Sequence, residues 1–492
     1  MDSQRAGGGG TLTDPVERLR YAILSAALFT AYVVAARIGI ELEVAEGLIT
    51  PVWAPSGIAL AALVLYGRKL WPAVALAAFV GNAISGASIP EAAFISVGNT
   101  LEAVVGATLL LRVGFRPALD RVRDVFALIG LAAVVSTTIA ATNGVTTLVI
   151  SGDVDPSDYG SAWLLWWIGD GMGDLVVAPL LLVLAQRPWR GLDGPRRIEA
   201  LLLLSLLTAV TSVVFLGGLW RYPHVLFPLL IWAALRFHQP GAVVASFVVT
   251  GLAVAGAVEG TTPVGTGSAT EVVQILEGLT AAVAVSLLIL GAVLAERSTA
   301  GRELARAHAG LSEAQELAHI GSWEWDVRAD KVTWSRELYR LWGHMPGEQA
   351  MTYEWYLESV HPDDRNLVRA MVERALQEGS PFSFEHRLLE RDGRSRWIQS
   401  RGRVITDDAG APLRMVGTAQ DITEQKRIDE LRDSILSTVS HELRTPLTAI
   451  VGFSVTLEEK GDRLAEETRS KMLASLSQQA RKLDRLLSDL LD

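Results

Sequence analysis

The chain has 492 residues, a formal net charge of −10, a mean hydropathy of +0.30 and no cysteine. That length allows about two to four domains. The missing cysteine excludes disulfides, thiolate metal sites, iron–sulfur clusters and a cysteinyl-flavin photosensor, and no basic face suited to nucleic acid is evident.

Charge is unevenly spread. Residues 1–295 hold 16 Lys/Arg and 20 Asp/Glu, whereas residues 296–492 hold 28 and 34. The first part reads as membrane and the second as aqueous protein. Residues 1–19, with Gly7–Gly10, read as a flexible tail without a cleavable signal pattern.

About 20 apolar residues cross a bilayer core. Residues 20–295 divide into about ten such stretches, near 20–40, 52–66, 70–86, 91–111, 124–150, 161–185, 198–219, 222–237, 240–258 and 272–295. The second and eighth are short. Cytoplasmic loops carry Lys/Arg. With the N-terminus inside, the inner loops hold Arg68 and Lys69, then Arg112, Arg116, Arg121 and Arg123, then Arg187, Arg190, Arg196 and Arg197, then Arg236. The outer loops hold Glu41, Glu43 and Glu46, then Asp153, Asp155 and Asp158, then Glu259 and Glu271, with Arg37 and Arg221 as exceptions. Both termini are therefore expected in the cytoplasm.

Asn82, Asn99, Glu102, Asn143, Asp170 and Asp174 fall at mid-span depth. Polar groups there are costly and usually face a bundle interior. Asn99 and Glu102 share one helix face, and Asp170 and Asp174 share another. Gly169, Gly171 and Gly173 allow close backbone approach. The residues fit a buried ligand, ion or proton site, or interhelical hydrogen bonding alone.

Four motifs in order resemble the MASE family, a membrane-associated sensor domain of bacterial signalling proteins. They are Val52-Trp53-Ala54-Pro55-Ser56-Gly57-Ile58, Gly67-Arg68-Lys69-Leu70-Trp71-Pro72, Gly98-Asn99-Thr100-Leu101-Glu102 and Trp166-Trp167-Ile168-Gly169-Asp170, followed by Pro179. The resemblance covers roughly 20–295 and implies a multi-pass protein of the bacterial inner membrane, in contact with lipid.

Residues 296–311 read as a helical linker leaving the membrane. Leu304, Leu311 and Leu317 suit a short parallel coiled coil or an ordinary amphipathic helix. From 320 the pattern changes. Ser322–Val327 and Lys331–Trp334 read as strands, Ser335–Trp342 as a short helix, and 361–377 as a helix with acidic residues in its first turn. Three strand-like runs follow, Phe382–Glu390, Arg396–Thr406 and Leu413–Ile422, with turns at Arg391-Asp392-Gly393 and Asp407-Asp408-Ala409-Gly410. The layout is α+β.

Across 312–424 it resembles a PAS sensor domain, on Gly321-Ser322-Trp323-Glu324-Trp325-Asp326, His361-Pro362-Asp363-Asp364-Arg365 and Gly417-Thr418-Ala419-Gln420-Asp421-Ile422-Thr423. PAS domains bind varied small ligands or none, and the ligand here is unknown. His344, His361 and His386 are candidate haem ligands, each read more simply as a surface or hydrogen-bonded histidine. Asp363, Asp364 and Arg365 read as a helix start with a surface ion pair.

Residues 424–458 read as one long helix, with Ile428, Leu431, Ile435, Val439, Leu443, Leu447 and Ile450 as its apolar stripe. A second helix, about 465–491, places Met472, Leu476, Ala480, Leu483 and Leu487 in register. Such a hairpin leaves apolar faces uncovered, and dimerisation into a four-helix bundle covers them. His441 lies off the stripe, so its ring reaches water, where a neutral imidazole is nucleophilic. Glu442 can accept the ring proton or orient the ring. Thr445 shares its face and can position a water. Pro446 lacks an N–H and should bend the helix.

His441-Glu442-Leu443-Arg444-Thr445-Pro446-Leu447 resembles the H box of the sensor histidine kinases, within a dimerisation and phosphotransfer domain over 425–492. The resemblance implies that His441 takes the γ-phosphate of ATP, that Glu442 assists, and that Thr445 serves hydrolysis of the partner regulator's phospho-aspartate. It implies a homodimer and a cognate response regulator. An ATP-binding domain should follow. No Asn-rich box or Gly-rich lid occurs after His441 and no P-loop pattern elsewhere, so that domain is expected in cis beyond residue 492 or in trans. No metal ligand set is expected. The alternatives are a phosphotransfer scaffold phosphorylated in trans and a transporter carrying regulatory domains.

Overall fold

A computed structural model describes residues 15–41, 51–217, 223–261, 269–346, 351–389, 393–408, 410–460 and 465–491. The readings for Gly7–Gly10, Glu43, Glu46, Arg221 and the turn at Arg391 and Asp392 lie outside them, as does the Glu271 side chain. The chain forms two compact units, Met1–Glu303 and Leu304–Asp492.

The first unit is all helix. Its elements are α1 (Pro15–Glu41), α2 (Ala54–Tyr66), α3 (Trp71–Ile84), α4 (Ile89–Arg112), α5 (Val122–Ala127), α6 (Thr137–Ser151), α7 (Tyr159–Met172), α8 (Ala178–Ala185), α9 (Gly194–Phe215), α10 (Phe227–Val258) and α11 (Ala269–Leu317). Two π-helical segments, Leu128–Ser136 and Gly173–Val177, join α5 to α6 and α7 to α8 into continuous rods. Starts follow local chemistry: the Ser88 N–H donates to Glu91 Oε2 (2.7 Å) ahead of α4, and Asp193 accepts the Arg196 N–H (3.1 Å) ahead of α9.

Seven of these helical runs are long and apolar enough to cross a membrane. The expected count of about ten crossings is therefore not confirmed. The stretches read at 52–66 and 70–86 form helices of 13 and 14 residues. At 1.5 Å per residue these reach about 20 Å, short of a core about 30 Å thick. The stretches at 222–237 and 240–258 share α10, but His238 (φ 52°, ψ −135°) breaks the helix there. A Cβ on Gly241 would sit 2.2 Å from the Ala233 carbonyl oxygen. Residues eight apart are far apart in a straight helix, so the chain folds back sharply at His238.

The second unit contains a five-stranded antiparallel sheet in the order β2-β1-β5-β4-β3, from β1 (Ile320–Asp326), β2 (Lys331–Trp334), β3 (Phe382–Leu389), β4 (Ser395–Thr406) and β5 (Pro412–Asp421). Between β2 and β3 lie α12 (Arg336–Leu341), α13 (Tyr353–Ser359) and α14 (Arg365–Glu378). α13 was not legible beforehand; Thr352 caps it by accepting the Trp355 N–H (3.2 Å). β3 alternates strictly, burying Phe382, Phe384, His386 and Leu388. The expected ion pair at the 361–365 helix start is different in kind. Asp364 binds Arg387 on β3, accepting from its N–H, Nε and Nη2 at 2.8–3.0 Å, whereas Arg365 donates to the carbonyls of Val360 and Glu358. Arg387 holds the Asp364 carboxyl below the usual range.

α15 (Thr423–Lys460) and α16 (Glu466–Leu491) pack on each other as a hairpin. Among its described residues only Pro446 is buried. Ile428, Leu431, Ile435 and Leu447 are about half exposed or more. The linker leucines Leu304, Leu311 and Leu317 are exposed on α11, which runs unbroken to Leu317.

Candidate functional site

His441 stands on α15, whose start is fixed by the sheet. The Thr423 N–H donates to Asp421 Oδ1 (2.9 Å), the Ile422 N–H donates to the Trp397 carbonyl (2.9 Å), and the Trp397 N–H donates to Thr423 Oγ1 (3.0 Å). Lys426 pairs with Glu385 (2.6 Å) and lies over the Trp397 ring (5.3 Å). The Asp-Ile-Thr string is thus a clasp between β4 and the helix.

Residues 424–441 contain no glycine or proline. His441 and Glu442 are exposed, while Val439 and Leu443 on either side are half-buried. Thr445 Oγ1 donates to the His441 carbonyl (3.2 Å), a bond back along the helix. Pro446 has no N–H for the Glu442 carbonyl, yet the helix continues through it. The arrangement presents one imidazole, one carboxylate and one hydroxyl on an open helix surface.

The intramembrane candidates come together. Asn99 and Glu102 on α4, and Asp170 and Asp174 on α7 and its π continuation, are all 5% exposed or less. The Ser56 hydroxyl at the start of α2 donates to Asp170 Oδ1 (2.9 Å), and the Asn99 amide donates to the Tyr32 hydroxyl (3.3 Å). The glycines act as expected. The Trp53 N–H donates to the Gly169 carbonyl (2.9 Å), a Cβ on Gly173 would sit 2.1 Å from the Trp53 carbonyl oxygen, and one on Gly171 2.9 Å from that of Ala133. Asn143 lies over Gly98, and Asn82 is elsewhere, donating to the Ala78 carbonyl of its own helix. Sequence reasoning missed Tyr32, which nothing local marks. It also missed Ser56, although Ser56 sits inside a motif already singled out.

The sheet domain encloses a cavity of about 50 Å³, lined by Trp325, Trp334, Trp342, Tyr353, Tyr356 and Phe384 among others. About 10–15 Å³ of such space already admits one water, so the cavity takes a few waters or a small group and admits a haem or flavin only after rearrangement. Nor do the histidines fit haem ligation. His386 is fully buried with Nε2 bonded to the Tyr356 hydroxyl (3.2 Å). His361 accepts the Asp363 N–H through Nδ1 (3.4 Å), and His344 packs edge-on to Trp355. Burial pushes the His386 imidazole down to about 4 and the Tyr353 phenol up to about 12.

Residues 24–298 match the MASE1 family, residues 331–419 the PAS fold, and residues 431–492 the His Kinase A (phospho-acceptor) domain. A blue-light-activated histidine kinase of Brucella ovis is 30% identical over 185 residues, covering 37% of this chain and 37% of that protein. Sensor protein FixL of Bradyrhizobium diazoefficiens is 26% identical over 139 residues, covering 28% of this chain and 27% of that protein. A sensory box histidine kinase/response regulator structure from Burkholderia thailandensis is 34% identical, covering 26% of this chain and 96% of that one, with a TM-score of 0.23. The chain spans between about a quarter and about two fifths of the length of these curated relatives.

Proposed function

For a chain that belongs to the MASE1 family and carries a PAS fold and a phospho-acceptor domain behind it, we propose the role of a membrane sensor histidine kinase, phosphorylated on His441. The observation that carries this reading is the exposed His441–Glu442 pair on an unbroken helix inside the matched phospho-acceptor region. A His441 ring nitrogen attacks the γ-phosphorus of ATP, the bond to the bridging oxygen breaks, and ADP leaves. Glu442 takes or steadies the displaced ring proton. The ATP pocket belongs to a catalytic domain supplied in cis or in trans. The phosphoryl group then passes to an aspartate of a response regulator, and Thr445 serves the reverse hydrolysis.

The functional unit is a homodimer. The half-exposed Ile428, Leu431, Ile435 and Leu447 form an apolar face that a second hairpin covers. The working division is 20–295 for the membrane sensor, 296–311 for the linker, 312–424 for the PAS domain and 425–492 for phosphotransfer. The Lys/Arg-rich loops support cytoplasmic termini at a bacterial inner membrane. The PAS cavity favours a small or apolar ligand.

The test supplies a histidine-kinase catalytic domain and labelled ATP to the chain. Label that is stable to base and labile to acid is expected on the chain and lost in His441→Gln. Equal labelling of His441→Gln would refute the assignment.

A further inference from the structure

The membrane unit holds a group of acids that phosphotransfer on His441 does not use. Glu102, Asp170 and Asp174 are 1–2% exposed. Each has one carboxyl oxygen without a partner among the described residues: Glu102 Oε2, Asp170 Oδ2 and Asp174 Oδ1. The groups facing them bring no positive charge. α1 supplies Tyr32, α2 supplies Ser56, α6 supplies Asn143, and the segment Leu128–Ser136 and α8 hold no ionisable residue. α10 carries Arg236, which is paired with Glu199, and His238 at its break. α11 carries Glu277, itself buried with both oxygens unpartnered. No Lys, Arg or His among the described residues forms an ion pair with the three acids. Residues 42–50, which precede α2, contain no basic residue.

A second observation points to what is bound. Asn99 is 95% buried, stands one turn before Glu102 on the same face of α4, and donates through Nδ2 to the buried Tyr32 hydroxyl. Its Oδ1 is unpartnered, as is Asn143 Oδ1. All five orphaned atoms are acceptors, so the cluster is short of hydrogen or of positive charge. No three Asp, Glu or His among the described residues are arranged to hold a metal ion.

We infer that Glu102, Asp170 and Asp174 form an intramembrane proton-binding site. The Ser56 hydroxyl donates to Asp170, which makes Asp170 an acceptor, and Glu102, whose Oε2 has no partner among the described residues, is the proton carrier. Asp174, one turn on, is the next acceptor. Uptake adds one proton from water and neutralises one carboxylate, and release reverses this. Because Ser56 belongs to the first turn of α2, the proton alters the charge against which that turn docks.

The test uses the full chain in phosphatidylethanolamine–phosphatidylglycerol vesicles. Infrared spectra at neutral pH should show the carbonyl band of a protonated acid. The band should weaken in Glu102→Gln and be indifferent to NaCl or KCl at fixed pH. An unchanged band in Glu102→Gln overturns the proposal. So does loss of the wild-type band on adding Na⁺ or K⁺, which assigns the site to a metal cation. A second measurement needs no variant. A hydrophobic carbodiimide, mapped by mass spectrometry, should modify Glu102 in wild type and do so less as pH rises; modification confined to exposed acids overturns the proposal. Neither readout involves His441, so failure here leaves the kinase reading standing.

Discussion

His386 gives the sheet domain a defined response to acid. It is completely buried, and its Nδ1 has no partner among the described residues. Burial holds the ring down to about 4, opposed only by the Asp364 charge, against about 6.5 for a solvated imidazole. The unfolded chain therefore takes a proton below about pH 6.5 that the folded domain refuses until about pH 4. Stability is constant above that window and falls as pH drops through it. At pH 5 the linkage amounts to about 2 kcal/mol, or roughly a 30-fold rise in the opening constant. Asp364 adds little here, because Arg387 holds its carboxyl below the usual range. Hydrogen exchange of β3 and β4 amides in the full chain, corrected for intrinsic rates, reads the effect. His386→Gln, which does not titrate, should flatten it. An undiminished fall in His386→Gln, or none in wild type, refutes the reasoning.

Three other outcomes are expected. Gly173→Ala places a methyl 2.1 Å from the Trp53 carbonyl oxygen and should cost about 1–3 kcal/mol of membrane-unit stability, while Gly130→Ala, with open space around it, should be neutral in the same thermal assay. Asp364→Asn should cost about 1–2 kcal/mol at pH 7; because the folded-state carboxyl is held low, the difference should shrink as acid protonates Asp364, seen in paired melts. Thr445→Ala should leave His441 labelling within about twofold, since among the described residues its hydroxyl bonds only the His441 carbonyl, yet slow regulator dephosphorylation tenfold or more, on the order of a lost catalytic group.

Local periodicity carried much of the architecture. β2 falls where Lys331–Trp334 was expected, and α15 and α16 where the apolar stripes lay. The break between 237 and 240 was also visible, since Pro240 interrupts the run. Crossing counts were less legible, because hydropathy does not distinguish a short buried helix such as α2 from a full span. Side-chain partnerships over long separations were hidden. Asp170 meets Ser56, 114 residues away, and Asp364 meets Arg387 on another element. Helical spacing predicts which residues share a face, and only the packed fold says what faces them.

The clasp at Asp421–Thr423 makes α15 a lever. Its pivot is pinned on β4 by the exchanged Trp397 bonds, and His441 lies 18 residues along, roughly 27 Å at 1.5 Å per residue. With no glycine or proline in that arm, a tilt of about 10° at the sheet displaces the imidazole by about 5 Å, geometry that follows from helix rise alone. Pro446 and Gly452, the helix-weakening residues of α15, come five and eleven residues after His441. The residues that weaken a helix thus lie beyond the histidine, and the stretch between the sheet and the ring holds none.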